Sequence, residues 1–387
     1  MIPRSAEKTL VSLAEGYPVV AVTGPRQSGK TTLVRHVFGA RRYATLEDLE
    51  TREYAQNDPH GFLGQFPEGA VLDEVQRVPN LFSSIQTVVD ASRKSGLFIL
   101  TGSLQFGLFQ SITQSLAGRV ASVVLLPFSS EELTSARSLP PSLEQMLLTG
   151  LYPPIYDRSL DPSVWYSNYV RTYIERDVRQ MIQLRDLSVF QRFVRMCAAR
   201  TGQLLNLSAL ANDCGITHNT AKAWISILEA SFILYLLKPH FKNFNKRLIK
   251  TSKLYFVDPG LAAWLLGIQK SQQLEVHHAR GALFETFVVS ELLKRRFNKG
   301  LEPNLYFWRD RTGNEIDILV DTNDYLLPVE VKSGKTIAPD FFSAFRKWSD
   351  ITAGSCQRGW LVHAGAAHQD RKECVVIPWN RVGEIPV

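Results

Sequence analysis

Short apolar runs that end in small or acidic residues alternate with amphipathic stretches over about the first 140 residues. Buried parallel strands have this continuous apolar pattern when helices cover both faces of their sheet. The pattern therefore predicts an α/β domain with a parallel sheet. Its predicted strands are residues 19–22, 70–72, 97–100 and 120–125.

Beyond a predicted Pro-containing linker at 135–142, the pattern changes twice. Residues 141–255 have helical periodicity, and residues 256–387 return to mixed strands and helices. The predicted strands of this last part are 305–308, 316–320, 329–332 and 359–362. The chain thus predicts three domains, at 1–140, 141–255 and 256–387, each long enough to bury a core.

The composition is that of an ordinary globular protein, with 45% hydrophobic and 21% charged residues among 387. This excludes a mainly disordered or fibrous chain. No run approaches 18 consecutive apolar residues, and the N-terminus begins a charged amphipathic segment, so neither a membrane span nor a signal peptide is expected. The four cysteines form no C-x-x-C pair, which argues against a zinc knuckle or a disulfide framework. We expect a cytoplasmic protein.

The positive charge is concentrated in the middle of the chain. Between Trp165 and Lys253 there are 14 Lys and Arg against 5 Asp and Glu, whereas the whole chain carries a net charge of +7. Clustered cationic charge attracts nucleic acid because binding releases counterions from the phosphate backbone. DNA is therefore the expected partner, and a solvated basic helical surface is the alternative.

The strongest chemical signal follows the first predicted strand. Residues 24–31, Gly-Pro-Arg-Gln-Ser-Gly-Lys-Thr, match the P-loop pattern G-x-x-x-x-G-K-[ST] and open a predicted helix at 31–38. In such a loop, backbone N–H groups cradle phosphates, the lysine reaches the β- and γ-phosphates, and the threonine hydroxyl binds Mg²⁺. The residues predicted to bind ATP and Mg²⁺ here are Gly24, Pro25, Arg26, Gln27, Ser28, Gly29, Lys30, Thr31 and Thr32.

An acidic pair, Asp73 and Glu74, ends the second predicted strand. We expect Asp73 to hold the magnesium shell and Glu74 to polarise an attacking water, which favours ATP hydrolysis over binding alone. Thr101-Gly102-Ser103 ends the next apolar run, where we expect a polar side chain, that of Ser103, to sense the γ-phosphate. Arg119 is predicted as an arginine finger, in cis or across the interface of a homo-oligomer, with a surface salt bridge as the alternative.

The basic middle has the layout of a winged helix-turn-helix. A helix at 207–216 is stopped by Gly215, N-cap residues at 217–220 precede a second helix at 221–231, and a strand-like pair with a basic turn follows. The predicted DNA contacts are His218, Asn219, Thr220, Lys222, Lys242, Lys246, Arg247 and Lys250. Winged helices also serve as packing or protein-interaction modules, so a protein partner stays open.

A set of carboxylates lies in the C-terminal region. Glu330 and Lys332 share one face of a predicted strand, Asp317 lies on another strand, and Glu285 lies on a helix. The three carboxylates would hold a second Mg²⁺, or Mn²⁺, and Lys332 would orient a water or stabilise developing phosphorane charge. The alternative is an ion-paired surface strand.

Together these motifs resemble a family of prokaryotic AAA-type ATPases in which a P-loop domain is joined to a C-terminal region of unknown function. The resemblance implies an AAA-like core, a winged-helix middle and a C-terminal domain similar to PD-(D/E)XK nucleases. The chain departs from the family at Leu151, where a second glycine of Gly-Gly-Tyr-Pro is usual. The resemblance rests on residues 22–33, 72–76, 101–103, 115–119, 173–177, 281–285, 315–317 and 329–333.

These features predict an ATP-hydrolysing protein that acts on DNA and carries a metal-dependent nuclease domain. Two alternatives remain at this point. One is a nucleotide-switched DNA- or protein-binding protein in which the nuclease-like fold does not cleave. The other is an ATPase that remodels protein partners.

Overall fold

The computed structural model describes residues 1–103, 116–174, 187–240, 250–352 and 357–387. They form two compact units. The N-unit comprises Met1–Phe128, Ala230–Phe232 and Arg296–Glu302, and the C-unit comprises Ser129–Glu229, Ile233–Arg295 and Pro303–Val387. No helix in these described ranges has both the length and the apolar character needed to cross a bilayer.

The N-unit is built on a five-stranded parallel sheet in the order β2-β3-β4-β1-β5. This confirms the predicted α/β domain with a parallel sheet. The strands are β1 (Val19–Thr23), β2 (Arg42–Thr45), β3 (Ala70–Asp73), β4 (Phe98–Thr101) and β5 (Val120–Val124). The helices are α1 (Glu7–Gly16), α2 (Lys30–Val37), α3 (Leu49–Asn57), α4 (Pro59–Gly64) and α5 (Leu81–Ser92), and a 3₁₀ turn spans Val75–Arg77.

Two hydrophobic cores cover the two faces of this sheet, because alternate strand residues point to opposite sides. Val19 and Ala21 pack with side chains of α3, α4 and α5. Val20 and Val22 pack with side chains of α1 and α2. Since all five strands are parallel, their carboxyl ends meet at one edge, where the residues after β1, β3 and β4 come together.

The C-unit contains nine strands in one sheet, in the order β13-β14-β12-β11-β10-β9-β7-β8-β6. The strands are β6 (Gln203–Leu204), β7 (Leu234–Pro239), β8 (Lys253–Phe256), β9 (Leu305–Arg309), β10 (Glu315–Asp321), β11 (Leu326–Lys332), β12 (Gly359–His363), β13 (Gln369–Asp370) and β14 (Cys374–Pro378). Each strand predicted between 305 and 362 is present.

Eleven further described helices lie wholly or mainly in the C-unit. They are α6 (Ser130–Ser135), α7 (Leu143–Thr149), α8 (Pro153–Asp157), α9 (Pro162–Tyr169), α10 (Leu187–Ala198), α11 (Leu207–Cys214), α12 (His218–Ala230), α13 (Pro259–Leu265), α14 (Ser271–Val276), α15 (Arg280–Asn298) and α16 (Ser343–Ile351). A π-helical turn spans Val170–Ile174, and 3₁₀ turns span Pro339–Phe342 and Trp379–Glu384.

The sheet runs without interruption through the limit predicted at residue 255. Strand β7 pairs with β8 in an antiparallel hairpin and, on its other side, pairs in parallel with β9 at Lys238–Tyr306 and Pro239–Phe307. The hairpin and the C-terminal strands therefore share one sheet within the C-unit. The division into three domains stays a prediction.

The segment at which the chain departs from the family that it resembles is buried in the C-unit. Gly150 has a φ of +64°, and a Cβ there would lie 2.0 Å from the Tyr166 hydroxyl and 2.5 Å from Asp258 Oδ1. Leu151 N–H donates to Asp258 Oδ2 at 2.8 Å, and the Leu151 side chain is buried. The close approach thus requires glycine at position 150, whereas position 151 accommodates a leucine in the core.

Candidate functional site

The P-loop lies at the carboxyl edge of the N-unit sheet, between β1 and α2. Gly24, Gln27 and Gly29 have positive φ angles of 142°, 64° and 92°. A Cβ on Gly24 would lie 2.2 Å from the backbone oxygen of Leu125, so only glycine fits there. The loop ends at the N-terminus of α2, as the motif predicts, and its successive backbone amides can cradle an anion.

Lys30 is the cation of this loop. Its Nζ donates to the carbonyl oxygens of Gly24 at 3.0 Å and Pro25 at 2.8 Å. Burial lowers the pKa of Lys30 to about 8, while the nearby Glu74 and Asp73 carboxylates oppose that shift. A phosphate bound in the loop would stabilise the charged ammonium by the same Coulomb attraction.

Asp73, at the end of β3, is the centre of a hydrogen-bonded group. The Thr31 hydroxyl donates to its two oxygens at 3.1 and 3.2 Å, and the Tyr43 hydroxyl donates to Oδ2 at 2.7 Å. Thr101 Oγ1, at the end of β4, also donates to Asp73. Three hydroxyl groups, from α2, β2 and the end of β4, thereby surround the Asp73 carboxylate next to the P-loop.

Glu74 has a left-handed backbone conformation, with a φ of 56°. Its N–H donates to Thr101 Oγ1 at 3.3 Å, and its Oε2 accepts from Ser103 Oγ at 3.3 Å and from Gln76 Nε2. Glu74 and Ser103, both predicted for this site, are therefore direct neighbours. Sequence reasoning missed Tyr43; it assigned no role to Gln76, and it placed Thr101 in the Thr101–Ser103 segment expected to sense the γ-phosphate.

These residues fit a magnesium nucleotide. Mg²⁺ prefers hard oxygen ligands and keeps several waters, which suits one hydroxyl and one carboxylate beside phosphate oxygens. In the described part of the chain, the buried hydroxyls of Ser28 and Thr23 have no hydrogen-bond partner. Two buried polar groups without partners at the base of a phosphate loop are consistent with a polar ligand there. Thr32, also predicted here, is exposed on α2.

Arg119 lies far from this site within its own chain. It precedes β5, whose first residue pairs with Val19 at the start of β1, whereas the P-loop follows the end of β1. The length of the strand, roughly 16 Å at about 3.3 Å per residue, separates the two positions. Arg119 instead pairs with Asp90 at 2.5 Å. It therefore does not reach a nucleotide in cis, and its role across an oligomer interface stays a prediction.

The helices α11 and α12 follow one another with Gly215 between them in the left-handed conformation. The second helix begins at His218, three residues earlier than predicted, and Thr217 Oγ1 accepts from Thr220 N at 3.1 Å. Trp224 of α12 packs against Phe190 and Phe193 of α10, with ring centroids 5.2 and 5.0 Å apart. This core leaves the start of α12 at the surface.

Of the predicted DNA contacts, His218, Asn219, Lys222 and Lys250 are exposed, and Thr220 is half-buried. The predicted contacts Lys242, Lys246 and Arg247 lie outside the described residues, as do Glu175, Arg176 and Asp177 of the family match. Strands β7 and β8, on either side of the predicted basic turn, pair antiparallel.

The C-terminal carboxylates form a cluster with two lysines. Asp317 lies at an irregularity in the pairing of β10 with β9, where β10 has one extra residue, as in a β-bulge. Its N–H donates to Glu330 Oε1 at 3.2 Å, and its Oδ2 accepts from Val331 N at 2.9 Å. Lys332 Nζ lies 2.7 Å from Glu330 Oε2 and 3.7 Å from Asp317 Oδ2. Asp317, Glu330 and Lys332 thus meet as the strand pattern predicts.

Glu285, from α15, reaches the same cluster but is held by a different strand. Its Oε1 accepts from Lys253 Nζ at 3.0 Å and from the Tyr255 hydroxyl, both on β8. Burial raises the pKa of Glu285, Lys253 lowers it, and the nearby Asp317 raises it. Lys253 and Tyr255 were missed by sequence reasoning, because a single lysine in a strand gives no signal of its own.

Burial and neighbouring charges shift the pKa of several side chains in this cluster. Burial and the Asp317 carboxylate raise the pKa of Glu330 to about 8, against the lowering effect of Lys332. For Lys253 and Lys332, burial lowers the pKa, but the surrounding carboxylates outweigh it and the net shift of both is upward. Two ammonium groups are therefore part of the cluster.

This arrangement does not fit a metal ion. Over the ranges that the structure describes, no three His, Cys, Asp or Glu side chains are placed to hold one. Lys253 and Lys332 supply the positive charge that a second Mg²⁺ or Mn²⁺ was predicted to supply.

Family comparisons divide the chain into three parts. The model of the family described as "AAA domain" matches residues 16–134, which contain the P-loop, Asp73 and Glu74. Two families described as domains of unknown function, DUF8612 and DUF4143, match residues 140–272 and 280–382.

Similar proteins have been found in mycobacteria and among solved structures. The uncharacterized proteins Rv2008c of Mycobacterium tuberculosis and Mb2031c of Mycobacterium bovis are each 32% identical over 338 residues, covering 86% of this chain and 74% of theirs. The Walker-type ATPase PABY2304 of Pyrococcus abyssi is 15% identical, with 68% of this chain and 96% of that chain covered and a TM-score of 0.47. The RuvB Holliday junction branch migration motor of Thermotoga maritima is 19% identical, with 60% and 89% covered and a TM-score of 0.32.

Proposed function

This chain belongs to the same family as the uncharacterized mycobacterial proteins Rv2008c and Mb2031c and contains an AAA domain, and from that premise we propose that it uses ATP turnover to switch its affinity for DNA. In this proposal the C-terminal carboxylate cluster does not cleave DNA. The observation that carries the nucleotide part is the placement of Thr31 and Asp73 beside the P-loop lysine.

The residues of the P-loop group have distinct proposed roles in hydrolysis. Lys30 binds the β- and γ-phosphates, and Thr31 and Asp73 would hold Mg²⁺, which neutralises phosphate charge when bound. Glu74 orients the attacking water and accepts its proton. Ser103 and Gln76 hold the Glu74 carboxylate, and Thr101 connects Asp73 with the Glu74 backbone.

The proposed DNA surface is the exposed start of α12 together with the basic residues that follow it. Exposed polar side chains at a helix start, with the helix body anchored through Trp224, suit a helix that enters a groove of DNA. Between Trp165 and Lys250 there are 13 basic against 5 acidic residues, which supports contacts to phosphates; Lys253 is left out because it is buried. A protein partner at the same surface is the second candidate, since winged helix-turn-helix domains also pack against proteins.

The experiment measures DNA affinity in two nucleotide states of the complete protein. Glu74→Gln should keep ATP affinity and lose turnover by about 10²- to 10⁴-fold, because a general base contributes in that range. This variant traps the ATP state, and we expect the dissociation constant for labelled duplex DNA to differ between ATP-bound and nucleotide-free protein. Equal DNA affinity in both states would contradict the switch.

A matched pair of lysine variants locates the DNA surface. Lys222→Ala, on α12, should weaken binding and reduce the slope of log K against log salt by about 1. Lys347→Ala removes an exposed lysine from α16 and should change neither. If the protein did not bind DNA even at low salt, the DNA partner would be rejected and the protein partner would remain as the candidate. Degradation of the DNA in Mg²⁺ or Mn²⁺, abolished by Glu330→Ala, would show that the cluster cleaves.

A further inference from the structure

Lys253 occupies an unusual position for a lysine. Its side chain is only 4% exposed, and its Nζ lies 3.0 Å from Glu285 Oε1 and 2.5 Å from Glu315 Oε1. The ring of Phe307 lies on another side, with its centroid 5.4 Å from Nζ. The ammonium is therefore enclosed by two carboxylates and an aromatic face, which together replace the water that it loses on burial.

The strand that carries Lys253 also fixes its partner. Tyr255 lies two residues further along β8, on the same face, and its hydroxyl donates to the same oxygen of Glu285. Glu285 is thus held by two donors of β8. The other two carboxylates, Asp317 and Glu330, are held on β10 and β11 by Lys332.

We propose that the Lys253 ammonium is the resident cation of the carboxylate cluster, which holds Glu285 toward β8 and thereby excludes a divalent metal. Lys253 is a positioning residue in this assignment. It sets the ligand preference of the cluster by occupying the place of a metal. The inference rests on the part of the proposed function in which the cluster does not cleave DNA.

The proposal has a specific consequence for charge balance. Removal of Lys253 leaves Glu285 and Glu315 without their shared ammonium in a mostly buried place, which destabilises the fold. A divalent cation binds to grouped carboxylates and restores the balance. Replacement of Lys253 by the neutral side chain of similar length, methionine, should therefore turn a metal-indifferent cluster into a metal-binding one.

The test compares thermal unfolding and Mn²⁺ binding of the complete, nucleotide-free protein. For the wild type we expect the same Tm in EDTA and in MnCl₂. Any rise in Tm caused by Mn²⁺ at the Thr31–Asp73 pair is shared by all variants and serves as the baseline. Lys253→Met should have a lower Tm in EDTA, a Tm restored by MnCl₂, and one additional bound Mn²⁺ per chain by titration calorimetry. Lys253→Arg keeps the charge and should stay metal-indifferent.

A second substitution shows where the additional ion binds. Adding Asp317→Asn to Lys253→Met should abolish both the extra Mn²⁺ and the recovery of Tm. Wild-type protein that binds a Mn²⁺ lost on Asp317→Asn would overturn the proposal. So would Lys253→Met protein that is unfolded with and without Mn²⁺, because the added cation would then fail to replace the ammonium. Neither readout involves DNA or ATP, so this proposal and the ATP switch fail independently.

Discussion

Gly24 shows how little space surrounds the backbone of the phosphate site. A Cβ at this position would lie 2.2 Å from the Leu125 carbonyl oxygen, and the φ of +142° is unfavourable for any L-residue. Gly118 has a positive φ of 75° but no atom within 4 Å of its Cβ position. A substitution at Gly118 would therefore introduce backbone strain alone, whereas one at Gly24 would introduce strain together with a clash against the Leu125 backbone.

Gly24→Ala and Gly118→Ala form a matched pair at this scale. Gly118→Ala should cost about 1–2 kcal/mol of unfolding free energy from backbone strain and keep ATP affinity. Gly24→Ala should cost more and lose ATP binding, because the loop must move away from Leu125. Denaturant unfolding and a fluorescent-nucleotide titration measure both. Wild-type ATP affinity in Gly24→Ala would mean that the loop tolerates a displaced backbone.

The sequence identifies only some residues of the hydrogen-bonded group around Asp73, for a physical reason. Lys30 and Thr31 are part of a local motif, and Asp73 ends an apolar strand, so linear spacing suffices to place them. Tyr43 reaches Asp73 from within β2, and Thr101 reaches it from the end of β4. Their membership depends on the order of strands in the sheet, which no local pattern of residue types specifies.

At the scale of elements, the start of α13 depends on one buried carboxylate. Asp258 Oδ1 accepts from Leu261 N at 2.8 Å and from the Tyr166 hydroxyl at 2.6 Å, while Oδ2 accepts from Leu151 N. All three of these partners are donors, so the site needs two acceptor oxygens. The side chain caps the helix and connects it to the residues after α7.

Asp258→Asn should destabilise the protein by about 1–3 kcal/mol, because the new amide N–H₂ meets a donor and leaves a buried group unpaired. Asp161 caps α9 in the same way at an exposed position, where its Oδ1 accepts from Val164 N at 2.9 Å. Asp161→Asn should change stability by less than about 0.5 kcal/mol, since asparagine caps equally well. Equal losses of unfolding free energy in the two variants would contradict this role of burial.

Periodicity and caps predict most elements well but not their pairing. The helix pair around Gly215 and the hairpin that follows were predicted from apolar spacing and turn residues. The parallel pairing of β7 with β9 at Lys238–Tyr306 joins residues far apart in the chain. The position of Lys253 beside Glu285 and Glu315 follows from such pairing, so sequence reasoning missed it.

At the scale of the whole molecule, each unit has its own sheet and its own buried side chains. The cores on the two faces of the N-unit sheet involve N-unit residues alone. Two other clusters, which include Phe345 and Trp348 of α16, lie within the C-unit. Because the hydrophobic clusters of one unit share no residue with those of the other, we expect two cooperative unfolding transitions.

Calorimetry should resolve two unfolding transitions, and MgATP should raise the Tm of one of them. Ligand binding to the folded N-unit stabilises it by roughly 2.7 kcal/mol when free ligand is about 100 times the dissociation constant. Measured with Glu74→Gln to prevent turnover, one Tm should rise and the other should stay constant. Adding Lys30→Ala should remove the shift. A single transition that moves as a whole would contradict separate unfolding of the units.

The nine-stranded sheet of the C-unit ends at both sides in a strand of two residues, β6 and β13. Unpaired N–H and C=O groups along a long edge strand are templates for aggregation, and very short edge strands limit this hazard. In the described chain, these edges leave a neighbouring molecule little backbone to pair with. The length of its outermost strands therefore protects a wide sheet against amyloid-like growth and domain swapping.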